Sequence, residues 1–212
     1  MPYTNFSFIP APLSVLAFLG AGLLTAALLA AAAVAALAGR TVFARRLLVG
    51  SAALPASYGA ALVALGAATP ERTVPRGGEK FFCGVDCHIG YSVMAFADSA
   101  ENPNRRVVVA LRSRFDETTI APRRGNGPLA PDSLAATLVD SRRRRFAADP
   151  AGSAALLAPL RPGEAYGADL VFHVPPDAEG LRLSLVASEG VSRLLLGHER
   201  APFAGETLLA LR

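Results

Sequence analysis

The residues best suited to chemistry sit together. Cys83-Gly84-Val85-Asp86-Cys87-His88 holds both cysteines of the chain and one of its three histidines. In an oxidising compartment, thiols at this spacing close a disulfide if the backbone turns between them, which suits a loop joining two strands. The same residues with Met94 make a second donor set: two thiolates, an imidazole and a thioether are soft ligands that suit copper. The disulfide, with no cofactor, is the expectation. A copper or redox site at Cys83, Cys87, His88 and Met94 is the alternative.

Two neighbouring motifs bear on that alternative. Cys-x-x-x-Cys-His resembles a lengthened c-type haem attachment motif, with Met94 as the nearest second axial ligand. The cysteine spacing and the position of Met94 resemble the loop of a binuclear copper electron-transfer site, but Tyr91 stands where that loop has its histidine. Zinc would need His173 or His198 to complete four ligands. No phosphate-binding Gly-Lys-Ser/Thr loop, nucleophile elbow or His-Glu-x-x-His helix is present. The expected protein is not an enzyme.

Charge gives a second feature. Arg142, Arg143, Arg144 and Arg145 form a run in a chain whose 21 basic residues include a single lysine. A solvated face is the simplest reading, and attraction to anionic head groups or an acidic partner is the other. Nucleic acid is not an expected partner, because the domain carrying the run is placed outside the cytoplasm by the argument below. Asp116 and Glu117 suggest a cation site, but adjacent strand residues point to opposite faces, which favours a turn.

These side chains must be positioned by two very different parts. Residues 12–38 and 47–68 contain no charged side chain, and each run is long enough to span a hydrocarbon core of about 30 Å, which needs roughly 20 residues. Mean hydropathy, at +0.37, is high for a soluble protein. A cleaved signal peptide would want a basic start, and the first eleven residues carry no charge. Arg40, Arg45 and Arg46 lie between the runs with no acid, so that short loop is expected in the cytoplasm. Both the N-terminus and the C-terminal domain then face the periplasm of a bacterial inner membrane.

The hairpin also reads as a packing surface. Ala52, Ala56, Ala60, Ala64 and Ala68 recur every four residues, and Gly22, Ala26 and Ala30 make a comparable row in the first span. Small residues let backbones approach closely, which supplies much of helix association in lipid. Two readings stand: the rows face each other within the hairpin, or they receive helices from other integral-membrane subunits. With no Asp, Glu, Lys, Arg or His inside either span, an ion path is not expected. Pro55 predicts a modest kink.

Residues 1–69 are thus expected to form the hairpin, 70–78 a linker, and 79–212 an all-β domain. Candidate strands are 80–84, 91–97, 106–115, 136–139, 165–174, 181–187 and 206–211, with a short helix within 153–160. Seven strands without a long helical pattern predict a two-sheet sandwich. Leu160-Arg161-Pro162-Gly163-Glu164, then Leu170-Val171-Phe172-His173-Val174-Pro175 and Leu181-Arg182-Leu183-Ser184-Leu185, resemble the closing half of immunoglobulin-like β-sandwich domains of unknown function in bacterial membrane-anchored proteins. That resemblance covers about 130 residues and implies an extracytoplasmic binding or scaffolding module, without an activity of its own. The expected role is an accessory subunit of a larger membrane complex, with an electron-transfer assembly, photosynthetic or respiratory, as a plausible host.

Overall fold

The computed structural model describes residues 3–83, 87–119, 125–131, 134–187 and 190–212. It divides into two compact units, and each is discontinuous in sequence. One holds Met1–Asn5, Pro70–Gly190 and Gly205–Arg212; the other holds Phe6–Thr69 and Val191–Ala204. The expected boundaries change accordingly. The first residues belong with the β unit, and a segment of the presumed β domain belongs with the helices.

The helical unit contains α1, Ala11–Leu37, and α2, Thr41–Ala68, of 27 and 28 residues. At 1.5 Å per residue each is about 40 Å long, and both are long and apolar enough to cross a membrane. They are not the core helices of a soluble shell: Leu13, Leu16, Leu23, Leu24 and Val34 of α1 are exposed. A tight turn joins them, with Gly39 at φ +75° and its N–H donating to the Ala36 carbonyl. Only glycine takes that φ without strain.

The seam between the helices follows a heptad rhythm. Ser14, Phe18, Ala21, Thr25, Leu28, Ala32 and Ala35 on α1 are buried or half-buried, at alternating steps of four and three. Ala44, Leu47, Ser51, Leu54, Tyr58, Ala61 and Leu65 answer them on α2 with the same steps. A four-three spacing keeps one stripe of a 3.6-residue helix against its neighbour. Leu28 Cδ1 lies 3.9 Å from where a Cβ on Gly50 would stand, and the Phe18 and Tyr58 rings are 6.3 Å apart. Two hydroxyls in the seam donate to their own helix, Thr25 to the Ala21 carbonyl and Ser51 to that of Leu48. Such bonds satisfy polar groups where water is absent.

This decides against one of the two readings of the small-residue rows. Ala52, Ala56, Ala60, Ala64 and Ala68, together with Gly22, Ala26 and Ala30, are exposed. The small-residue rows do not face each other; both point away from the seam.

The β unit has two mixed sheets of five strands. Its strands are β1 Tyr3–Thr4, β2 Arg72–Val74, β3 Lys80–Phe82, β4 Ile89–Glu101, β5 Asn104–Phe115, β6 Leu134–Val139, β7 Arg145–Ala147, β8 Ala165–Val174, β9 Arg182–Ala187 and β10 Thr207–Ala210. One sheet runs β1-β3-β4-β5-β8 and the other β2-β10-β9-β6-β7. Neighbours are antiparallel except β1 with β3 and β2 with β10. A short helix α3, Pro150–Ala155, precedes Leu156 and Leu160, which join the core.

Alternation explains the layers. On β5, Val107, Val109 and Leu111 are buried while Arg112 is exposed; on β8, Leu170, Phe172 and Val174 are buried while Asp169 and His173 are exposed. Period-two side chains from both sheets therefore meet in one core with Leu138, Leu183, Leu185 and Leu209 from the second sheet. Each fully buried Leu, Val or Phe contributes roughly 1.5–3 kcal/mol. The seven expected strands are all present. The expected linker 70–78 contains β2, and the arginine run supplies the start of β7.

Candidate functional site

The cysteine loop connects β3 to β4. Cys83, just past β3, is buried and joined to Cys87 in a disulfide. Asn5 holds this corner: its side-chain amide donates to the Cys83 carbonyl at 3.2 Å, and its Oδ1 accepts from the Cys83 N–H at 2.9 Å. The Asn5 N–H donates to the Phe81 carbonyl, extending the β1–β3 pairing by one residue. Asn5 itself is buried.

The other members of the soft-ligand set lie in unlike settings. The His88 ring is buried and stacked on Phe115 at 5.2 Å, nearly parallel. Met94 is half-exposed at the irregularity between Val93 and Ala95 of β4, where its sulfur accepts from the Ser92 hydroxyl at 3.7 Å. A disulfide consumes both thiolates that a copper or zinc site would use. Among the described residues no group of three or more His, Cys, Asp and Glu side chains is arranged to hold a metal. His173 lies instead near two carboxylates, 3.2 Å from Glu101 and 3.5 Å from Asp149.

The arginine run is a set of ion pairs rather than a free patch. Arg142 and Arg144 meet Asp177 at 2.8 and 3.1 Å, Arg145 meets Glu206 at 2.7 Å, and Arg143 stands 3.5 Å from Glu71. Asp140, buried at the turn after β6, organises it. Its Oδ1 accepts the N–H groups of Arg142 and Arg144, and its Oδ2 accepts from Arg144 Nε at 2.6 Å. Burial alone would push this carboxyl up, but the Arg144 side chain and the two backbone donors outweigh it and hold it below the usual carboxylate range. Arg144 likewise lowers Asp177, through its hydrogen bond and then its charge. With a carboxylate beside each guanidinium, this surface offers little to an anionic partner.

Asp116 forms a turn, not a cation site. Its Oδ1 accepts the Thr118 N–H at 3.0 Å and the Thr118 hydroxyl at 2.7 Å, starting the 3-10 turn Glu117–Thr119. The Thr118 hydroxyl is the main cause of its lowered pKa. Arg114, paired in a fork with Glu79 at 2.8 and 2.6 Å, is raised above the ordinary guanidinium value by that bond.

Lys80 is the residue that sequence reasoning did not single out. It is fully buried, and its ammonium donates to the Leu185 and Thr207 carbonyls at 2.8 Å each, 4.9 Å from the centre of the Phe82 ring. The signal was present: the one lysine of an arginine-rich chain stands at the head of an apolar pair, Phe81-Phe82. A compact ammonium fits between two carbonyls where a planar guanidinium does not. A cleft of about 590 Å³ opens elsewhere in the β unit, lined by Phe96, Arg105, Glu179, Arg182 and Arg212 among others. Arg105 is committed there to Asp98 and to the Ala178 carbonyl, and Arg182 to Glu71.

The remaining candidate is the outer surface of the hairpin. Its small-residue rows are exposed on both helices, and Arg40 before α2 with Arg45 and Arg46 near the start of α2 are all exposed. No family model, curated protein or solved structure matches the chain.

Proposed function

We propose that the chain is a non-catalytic accessory subunit of a larger bacterial membrane assembly, anchored in the inner membrane by α1 and α2 and presenting its β unit to the periplasm. The observation that carries this reading is the outward direction of the small-residue rows. The hairpin closes through a different stripe, so Ala52, Ala56, Ala60 and Ala64, with Gly22 and Ala26, remain for helices of other subunits.

Two further observations support it. The exposed arginines around the start of α2 favour the cytoplasmic side for that end, and a disulfide suits the oxidising side for the other. Strand order supports an immunoglobulin-type scaffold: β4, β5 and β8 lie side by side in one layer, and β6, β9 and β10 in the other. That partition parallels the A-B-E part of one sheet and the C-F-G sheet of such sandwiches, with β1, β2, β3 and β7 as additions. An electron-transfer complex is the host to look for first.

Native electrophoresis after mild detergent extraction tests the reading. The wild-type chain should migrate with partner subunits, and Ala56→Leu with Ala60→Leu should abolish that co-migration while leaving thermal stability unchanged. Migration of the wild type solely as a monomer, or indifference to the added bulk, would count against it.

A further inference from the structure

The segment Val191–Ala204, between β9 and β10, belongs to the helical unit, and its polarity is inverted. Ser192, His198 and Glu199 are buried, whereas Val191, Leu194 and Phe203 are exposed at 54, 46 and 78%. A segment facing water does the opposite.

Its depth is fixed by contacts with the helices. The Tyr58 hydroxyl donates to the Leu194 carbonyl at 2.8 Å. Tyr58 lies ten residues before the end of α2, so Leu194 sits roughly 15 Å below that end. Measured from the other side, Tyr58 is twelve residues past Arg46, about 18 Å, well inside a 30 Å hydrocarbon core that begins at that arginine. Higher up, the Pro202 carbonyl lies against Gly66, and the Ser7 N–H donates to the Gly197 carbonyl at 2.7 Å.

Phe8, near that upper contact, is 67% exposed and has φ 65°; Phe203 has φ 66°. A bulky residue in the left-handed region is costly and persists where its surroundings demand it. Here the unusual backbone leaves two aromatic rings on the outside of the helical unit.

We propose that Val191–Ala204 and Phe8 form a collar lying in the outer leaflet, with Val191, Leu194, Phe203 and Phe8 against lipid acyl chains and Arg193 reaching the head groups. α1 also carries exposed leucines, Leu13, Leu16 and Leu23 among them. Non-helical backbone is tolerated at that depth because it is bonded to the hairpin, through Tyr58 above all. The collar rests on the membrane-spanning reading of α1 and α2, and the experiment separates the two.

The chain has no tryptophan, so single substitutions give clean reporters. Phe8→Trp, Leu194→Trp and Phe203→Trp are compared with Leu24→Trp, on an exposed position inside α1, in phosphatidylcholine vesicles carrying brominated acyl chains. All four should emit in the blue; the Phe8 and Phe203 reporters should lose more intensity to bromine near the head-group end, whereas Leu194→Trp, roughly 12 Å below the outer boundary, and the α1 reporter should respond more to bromine near the chain ends. If the α1 reporter is quenched while all three collar reporters emit as in water, the collar is wrong and the spans stand. If the α1 reporter also escapes quenching, both fall. Blue emission from the collar without bromine quenching would mean protein covers it, and would overturn the proposal too.

Discussion

Replacing Gly66 by alanine would place a methyl carbon 2.1 Å from the Pro202 carbonyl oxygen and 3.2 Å from its carbon. The obstacle is backbone, so rotating a side chain cannot relieve it. Overpacking of this kind costs about 1–3 kcal/mol. Against that stands the gain from alanine over glycine in a helix, about 1 kcal/mol. Gly59, seven residues earlier on α2, isolates the second effect, because a Cβ there meets nothing within 4 Å. Gly59→Ala should therefore stabilise the detergent-solubilised protein by roughly 0.5–1 kcal/mol, and Gly66→Ala should destabilise it or detach Val191–Ala204 from the helices. At 2–4 °C per kcal/mol for a chain of this size, the overpacking should separate the two variants in Tm by about 2–12 °C, Gly66→Ala lying below Gly59→Ala. Trypsin gives a second readout: cleavage after the exposed Arg193 should accelerate only in Gly66→Ala. Equal melting temperatures with unchanged proteolysis would refute the packing of Pro202 on Gly66.

Three other outcomes are expected. Replacing Cys83 and Cys87 by serine removes a short loop closure worth about 2 kcal/mol, measurable as a lower denaturation midpoint, and the native wild-type chain should show no thiol reactive with maleimide. Lys80→Met keeps the volume but strands the Leu185 and Thr207 carbonyls, so a loss of about 2 kcal/mol or more is expected in denaturant titrations, with full replacement by arginine no better. Asp116, Asp140 and Asp177 have folded pKa values held below the ordinary carboxylate value. Their contribution is complete above the unfolded value of about 3.9 and disappears as pH falls through the lower folded values, so Tm should be level near neutrality and drop below about pH 4; Asp140→Asn should shrink that drop.

The long elements were legible because they repeat one signal many times. Uncharged runs marked α1 and α2, and period-two alternation marked β5 and β9. β1, β2 and β7 are two or three residues long, too short for any period; β1 and β2 form because a distant strand offers an edge, Tyr3 meeting Lys80 and Arg72 meeting Thr207, whereas β7 folds back on the neighbouring β6. The hairpin seam stayed open between two readings for a different reason. Alanine at every fourth position and the four-three stripe through Ser14, Ser51 and Tyr58 are both plausible contact faces, and the short Gly39 turn decides which pair of faces meets. The arginine run looked like a patch because its partners Glu71, Asp177 and Glu206 are far away in sequence. At the candidate site, the disulfide followed from spacing, whereas the burial of Lys80 depends on carbonyls supplied by β9 and β10.

The late position of residues 191–210 bears on how the chain is made. Gly39 lets α1 and α2 pair as soon as both have left the ribosome, with little loop to close. β2 emerges directly after them but waits more than a hundred residues for β10. Val191–Ala204, synthesised just ahead of β10, comes equally late to the helices it covers. Synthesis halted near residue 190 would thus leave two unrelated surfaces open at once, a strand edge and a flank of the hairpin, and such a nascent chain is the form most in need of a chaperone or a protease.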